Sequence, residues 1–284
     1  MKNFLLITNK YKDNELSVTH RVVDYLKDKA AECHVLSDLG SQYEELPELN
    51  ENTDCIIVIG GDGTMLQAAR VVAGKKIPMI GINRGTLGFL TEIEIGELES
   101  ALDQILSDDY RIEERMMLKG EIYHGEELVS ESLALHDYVI TRSGISRIIE
   151  CQISVNGRPM NTFNGDGLIV STPTGSTGYN LSAGGPVVCP DAHIVLVTPI
   201  CPHTFGARST VLAPTDDIWI EIGRTRKTQK EEAVATFDGQ TGVSLTPGDR
   251  IHVRAASEKI YLLKIREHNF YEILRNKLKK QQEV

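Results

Sequence analysis

One junction constrains this chain more than any other. The run Cys55-Ile-Ile-Val-Ile59 leads without a break into Gly60-Gly-Asp-Gly63 and then into a helix-forming stretch, Thr64 to Ala73. A continuous β-branched run reads as a strand covered on both faces, because a strand with one wet face alternates apolar and polar residues. Strands covered on both faces belong to parallel sheets flanked by helices, so the junction predicts an α/β domain. The neighbouring sequence agrees. Phe4-Leu-Leu-Ile7 reads as a short buried strand, and Glu15 to Ala31 places Leu16, Val22, Val23 and Leu26 near one helical face. A strand follows around His34-Val-Leu36. Gly74 ends the helix after the glycine turn, Ile77 to Ile82 makes the next strand, and Glu97 to Leu106 is amphipathic at helical spacing. Strands alternating with helices in this way imply a mainly parallel sheet.

From about Arg111 the helical periodicity gives way to short alternating segments, such as Leu118 to Tyr123 and Ile149 to Val155. Asn156-Gly157 is a strong hairpin turn, and Pro247-Gly248 marks another. Further strands are expected at Leu168–Val170, Ile194–Val197, Ile218–Ile222, Ile251–Ala255 and Ile260–Ile265. Phe270, Ile273, Leu274 and Leu278 then return to helical spacing. The expected organisation is an α/β domain over 1–110, completed by a C-terminal helix in 266–284 that packs back on it. An all-β, β-sandwich-like domain is expected over 111–265.

Charge and cysteine content bound the function. The 284 residues carry 30 basic and 40 acidic side chains, a net charge of −10, which disfavours nucleic acid and anionic membranes as partners. Six acids lie between Asp38 and Asp54 and nine between Glu92 and Glu114, where Arg111 is the lone base, so the rest of the chain is slightly basic. No stretch approaches the roughly 18 apolar residues of a membrane span. The four apolar residues Phe4–Ile7 are too few for a signal peptide. The five cysteines show no CxxC pair, so reduced thiols and a cytoplasmic location are expected.

Half of the 24 glycines fall within Gly60–Gly63, Gly81–Gly88 and Gly165–Gly185. In the first cluster, glycines at a strand-to-helix turn let phosphates approach backbone amides, and the helix start adds N–H donors. Asp62 would repel phosphate unless it had another task. It can accept a proton from an attacking hydroxyl, contact a magnesium ion bridging phosphates, or cap its helix. No GxxxxGK[ST] or GxGxxG motif occurs. The second cluster, Gly81-Ile-Asn-Arg-Gly-Thr-Leu-Gly-Phe-Leu-Thr-Glu92, also follows a buried strand and so lies at the same sheet edge. Phe89 is there either a platform for a base or a core residue under the loop. The third cluster runs from Asn164 to Ser182. Its hydroxyls suit a ligand rich in hydrogen-bonding groups, with Asp166 able to accept from a ribose or amide and Tyr179 able to stack or donate.

Together GGDGT, GINRGTLGFLTE, GDGLIVSTPTGSTGYNLSAGGP and the FDGQ of Phe237–Gln240 resemble a bacterial NAD kinase in order and spacing, from Cys55 to the C-terminal FYEILRNKL. GGDG alone is shared with diacylglycerol and sphingosine kinases and, loosely, with 6-phosphofructokinases; TPTGSTxY is the specific element. The resemblance implies transfer of the γ-phosphoryl group of ATP to the 2′-hydroxyl of NAD's adenosine ribose, with Mg²⁺ as the divalent metal. It also implies a homodimer or homotetramer. Asp62 corresponds to the proton acceptor, with Gly63 beside the dinucleotide; Gly61 and Phe89 are further binding candidates in the two glycine-rich turns. No residue is assigned as a direct metal ligand, Asp62 being the one candidate. His136-Asp137 corresponds to the family's Asn-Glu/Asp pair, Asp166 to its GDG aspartate, and Asn164 to a position where many relatives have arginine. Thr174, Ser176, Thr177, Gly178, Tyr179, Asn180, Leu181 and Ser182 correspond to the adenosine and nicotinamide surroundings, and Gln240 to the glutamine of DGQ. Arg147 matches a basic position that lines the site from a neighbouring subunit.

Three departures stand out: His136 for asparagine, Asn164 for arginine and Gly178 for alanine. A histidine changes its donor set with charge, so a pH-sensitive dinucleotide affinity is expected. Two other readings remain: a lipid kinase of the diacylglycerol type, and a dinucleotide-binding regulator with weakened activity. An acidic chain without an amphipathic membrane-facing segment suits the first badly, and the intact Asp62 argues against the second.

Overall fold

The protein is described by a computed structural model covering residues 1–36, 52–84, 88–143, 148–204, 206–224, 233–240, 242–266 and 270–282. The chain divides into two compact units, Met1–Glu114 with Ile260–Val284, and Arg115–Lys259.

In the first unit, four strands run parallel in the order Glu32–Leu36, Asn3–Thr8, Cys55–Gly60, Met79–Asn83. The chain moves outward from Asn3–Thr8 in one direction and then in the other, so a topological switch point lies between that strand and Cys55–Gly60. Open parallel sheets bind ligands at the carboxyl ends of strands flanking such a point. All six residues of Cys55–Gly60 and all five of Met79–Asn83 are buried, as expected of strands sandwiched between helices. The helices are Ser17–Asp28, Asp62–Val72 and Leu98–Leu106. Val22, Leu26, Leu98, Leu102 and Ile105 pack with Phe4, Leu6, Ile57, Ile59 and Ile80 in one core. Late in the chain, Leu262 pairs with Met79 in parallel and Leu263 joins this core. A C-terminal helix spans Phe270–Gln282.

The second unit contains two antiparallel arrays. One has the order Thr210–Leu212, Val195–Ile200, Gly167–Ser171, Asp137–Arg142, Ala233–Phe237, Gly242–Leu245. The other includes Arg158–Gly165, Ile149–Val155, Ile218–Ile222 and Arg250–Lys264, with the hairpin Arg111–His124 and Glu127–Ala134. Their inner faces meet in a single core that includes Leu118, Ile153, Phe163 and Ile220 from one array and Tyr138, Val170, Val197 and Phe237 from the other. This is the sandwich that alternating sequence predicts.

Two local expectations are corrected. Ile251–Ala255 and Ile260–Ile265 are not separate strands but parts of one 15-residue strand, Arg250–Lys264. The intervening Ala256-Ser257-Glu258-Lys259 holds no glycine or proline to break the ladder. Within the third glycine cluster, which the sequence leaves without a regular element, lie a 3₁₀ turn, Thr174–Thr177, and a single helical turn, Tyr179–Ser182. The hairpin at Asn156-Gly157 is present, with φ of 52° and 73° at the two residues, the left-handed pair of a type I′ turn.

Candidate active site

In the first unit, the glycine turn sits where the sequence places it. Gly61 is the N-cap of Asp62–Val72 with extended backbone (φ −125°, ψ −171°), and no side chain caps this helix. A Cβ at Gly61 or Gly63 would meet nothing within 4 Å, so internal packing does not demand glycine at either position. Bare backbone beside open space at a helix start suits a phosphate-bearing ligand. The loop after the neighbouring strand is tied to this turn: Asn9 N–H donates to the Ile59 carbonyl at 3.0 Å and Asn9 Nδ2 to Thr64 Oγ1 at 3.2 Å.

Asp62 does not cap its own helix. Its carboxylate accepts from the main-chain N–H groups of Phe89 (Oδ2, 2.9 Å) and Leu90 (Oδ1, 3.2 Å) in the second glycine-rich loop. A side chain at Gly88 would collide with that carboxylate and displace it from this position. The Phe89 ring faces the C-terminal helix, 5.9 Å from the ring centroid of Phe270 and 4.9 Å from Lys277 Nζ. Arg84, at the end of the strand Met79–Asn83, pairs with the fully buried carboxylate of Asp13 at 2.7 Å. Burial raises the pKa of Asp13, but hydrogen bonds from the Thr19 hydroxyl and the N–H groups of Thr19 and Val18, with the charge of Arg84, outweigh it and hold the pKa low.

In the second unit, the chemistry-bearing residues gather around the start of Asp137–Arg142. Asp238, in Phe-Asp-Gly-Gln, accepts from the N–H groups of Leu135 (2.9 Å), His136 (2.7 Å) and Asp137 (3.2 Å). Burial, and then the charge of Asp238, push the Asp137 carboxyl up to about 7. Burial also raises Asp238 against the opposing pull of His136 and the three N–H groups. The His136 carbonyl accepts from Thr172 N–H at 2.9 Å, and a methyl at Gly178 would stand 3.3 Å from His136 Nδ1. Asp166 is paired with Arg142 at 2.8 Å. Partial burial, then Cys201, Asp166 and Asp137, raise the Tyr179 phenol, which is 44% exposed. His136, Asp137, Asp166, Gly178 and Tyr179 therefore share one neighbourhood.

The other expected residues divide by what occupies their polar atoms. Asn180 is fully buried, its amide spent on the Ser176 and Pro186 carbonyls and on the Thr198 hydroxyl. Ser176 exchanges hydrogen bonds with both the N–H and the carbonyl of Val188. These two fasten the loop from inside. Thr174 Oγ1 is buried and has no hydrogen-bond partner among the described residues, whereas Thr177 Oγ1 reaches the Thr174 carbonyl at 3.4 Å. Leu181 is half-buried and Ser182 exposed. The Asn164 carbonyl accepts from His203 N–H at 2.7 Å, and Gln240 N–H donates to the Phe237 carbonyl at 3.0 Å. Arg147 lies outside the described residues. Asp238, Arg142 and Asp13 were not expected from sequence. A partial signal existed for Asp238, which neighbours Gln240 in the FDGQ motif.

The model of the ATP-NAD kinase N-terminal domain matches residues 4–110, and that of the ATP-NAD kinase C-terminal domain matches residues 135–265. The chain belongs to the ATP-NAD kinase family. Curated relatives named NAD kinase agree over essentially full length. That of Lachnoclostridium phytofermentans is 42% identical over 281 residues, covering 98% of this chain and 99% of its own. That of Lachnospira eligens is 43% identical over 294 residues, covering 98% and 100%. Among solved structures, yeast NADH kinase complexed with NADH superposes with a TM-score of 0.87 at 22% identity, over 98% of this chain and 87% of that one. The NAD kinase from Archaeoglobus fulgidus in complex with ATP gives 0.76 at 24% identity over all of both chains. At these identities the likeness establishes the ATP-NAD kinase fold.

Proposed function

We propose that this chain transfers the γ-phosphoryl group of ATP to the 2′-hydroxyl of the adenosine ribose of NAD, giving NADP and ADP. Membership of the ATP-NAD kinase family supports phosphorylation of NAD at the expense of ATP. The observation that carries the mechanism is the carboxylate of Asp62, held by the Phe89 and Leu90 amides at the start of a helix whose flanking glycines leave open space.

In the proposed step the 2′-oxygen attacks the γ-phosphorus, the bond to the bridging oxygen of ADP breaks, and the hydroxyl proton passes to Asp62. The transition state of such a transfer is loose, so positioning and charge neutralisation outweigh the proton transfer itself. Gly61 and Gly63, with the helix N-terminus, receive phosphates through main-chain N–H groups. In the second unit Asp137 and Asp166 accept from hydroxyl or amide groups of the dinucleotide. His136, Thr174, Gly178 and Tyr179 shape its surroundings, the buried Thr174 hydroxyl being ready to pair with a ligand.

Among the described residues no group of three or more His, Cys, Asp or Glu side chains is placed to hold a metal ion. The single carboxylate of Asp62 fits Mg²⁺ only as an ion carried in with the triphosphate, the usual habit of Mg²⁺ at nucleotides. When bound, that ion neutralises charge on the phosphate oxygens. The reading includes a homodimer or homotetramer, and a cytoplasmic location, with the five cysteines outside any disulfide. No helix among the described residues is long and apolar enough to cross a membrane.

Incubation with Mg-ATP and either NAD or diacylglycerol tests the reading. NADP is expected from the first pair; product from the second alone supports a lipid kinase, and none from either supports a binding regulator. Asp62→Asn should lower turnover by about 10²–10⁴-fold, the range of general base catalysis. Light scattering at working concentrations reads the oligomer.

A further inference from the structure

The loop that grips Asp62 is itself held by a clasp. Thr91 Oγ1 accepts from Gly88 N–H at 3.0 Å, closing the turn Gly88–Thr91 on a side chain. The two residues inside that turn, Phe89 and Leu90, supply the N–H groups that meet Asp62 at 2.9 and 3.2 Å. One small turn therefore aims two donors at one carboxylate. Downstream, the turn is anchored: Glu92 N–H donates to the Gly81 carbonyl at 2.9 Å, and the Glu92 carboxylate meets Lys264 at 2.7 Å. Upstream, the Thr91 hydroxyl is the fastening among the described residues. Thr91 is 1% exposed, so bulk solvent does not reach this hydrogen bond.

We propose that Thr91 is a positioning residue of the phosphoryl transfer. Its hydroxyl fixes the direction of the Phe89 and Leu90 amides, and these hold the Asp62 carboxylate in the orientation that receives the ribose proton. The proposal rests on the reading of Asp62 as proton acceptor. Thr91 touches no reacting atom, so its effect falls on turnover and leaves substrate binding alone. Without the hydroxyl, Gly88 N–H loses its partner, the turn can rotate, and the carboxylate loses two fixed donors. Small misplacements of a reacting group are costly: a shift of about 1 Å can remove about 10²-fold in rate.

The test uses Thr91→Val, which keeps the shape and removes the acceptor, and Thr91→Ser, which keeps the acceptor and removes a methyl. Thr91→Val should lower kcat about tenfold or more, with KM for NAD and for ATP within about twofold of wild type. Thr91→Ser should recover most of the turnover. Should Thr91→Val fail to fold, Thr91→Ala replaces it, since it adds no bulk against Gly81. Asp62→Asn is measured alongside. If Asp62→Asn turns over like wild type, the reading of Asp62 fails first. If Asp62→Asn is inactive while Thr91→Val (or Thr91→Ala in its place) keeps wild-type kcat, the clasp is overturned. It is also overturned if Thr91→Ser loses as much kcat as the variants without the hydroxyl, since the methyl packing would then be what matters.

Discussion

The carboxylate of Asp238 accepts a hydrogen bond from the main-chain N–H of His136 at 2.7 Å, across 102 residues of sequence. The same carboxylate takes the N–H groups of Leu135 and Asp137, so it ties the FDGQ turn to the start of the strand bearing the candidate dinucleotide residues. Replacing it with alanine removes the acceptor from two buried donors and one part-buried donor, at about 1–3 kcal/mol for each buried one. Asp238→Ala is therefore expected to destabilise the protein by about 3 kcal/mol or more, read from urea midpoints. Asp238→Asn should cost less. It keeps one acceptor oxygen, and asparagine tolerates the left-handed backbone at this position (φ 51°).

Asp137 gives a pH dependence with a definite sign. Burial, then the neighbouring Asp238, raise its carboxyl from 3.8 to about 7. Between those values the folded chain holds a proton that the unfolded chain has lost. Stability from this group is therefore full at low pH and falls as pH rises toward 7, by about 1.4 kcal/mol per unit, then levels off. Asp137→Asn lacks the titration, so the difference in urea midpoint between wild type and variant should shrink or reverse from pH 4.5 to 7.5. Affinity moves the other way. The ionised carboxylate is the better acceptor for a ribose hydroxyl, so KM for NAD should fall as pH rises through 7 in wild type and stay flatter in Asp137→Asn.

Much of this was legible in the sequence, for reasons of range. The central strand Cys55–Gly60 is a continuous β-branched run that ends in the glycine turn, and such a local pattern determines both its burial and its boundary. The glycine turn around Asp62 was readable for the same reason. What Asp62 does there was not, because the choice between capping and facing outward depends on the Phe89 and Leu90 amides 27 and 28 residues away. Phe89 likewise faces Phe270, a contact no local pattern announces. Glu127–Ala134 carries only a weak alternation because most of its residues are exposed or half-buried, so it escaped notice. Asp238 was overlooked since an Asp-Gly pair reads as an ordinary turn, and its three partners lie over 100 residues back.

Gly178 and His136 should prove coupled. A methyl at position 178 would stand 3.3 Å from His136 Nδ1 and equally close to the Gly175 carbonyl, closer than carbon comfortably sits. The imidazole would have to move by a few tenths of an ångström. Gly178→Ala alone is expected to raise KM for NAD about three- to tenfold while leaving KM for ATP unchanged, the size expected for a shift well short of 1 Å. Adding His136→Asn, with its smaller amide, should recover part of that loss. Additive effects in the double variant would show that the two positions act independently.

The last prediction concerns the buried ion pair of Lys264 and Glu92, whose side chains are 9% and 3% exposed at a separation of 2.7 Å. Glu92 also accepts from the N–H of Arg266 at 3.2 Å, so one carboxylate joins the end of the strand Arg250–Lys264 to the loop after Met79–Asn83. A buried pair adds little over a well-packed apolar pair, but removing one partner strands the other charge at about 3–5 kcal/mol. Lys264→Met should therefore lower stability by about that amount, while Lys264→Met with Glu92→Gln, which abandons no charge, should recover a substantial part. Urea titration of both variants measures this. Turnover in the double variant should remain below wild type even where it is fully folded, because the carboxylate that anchors the Asp62 loop to the later strand is gone.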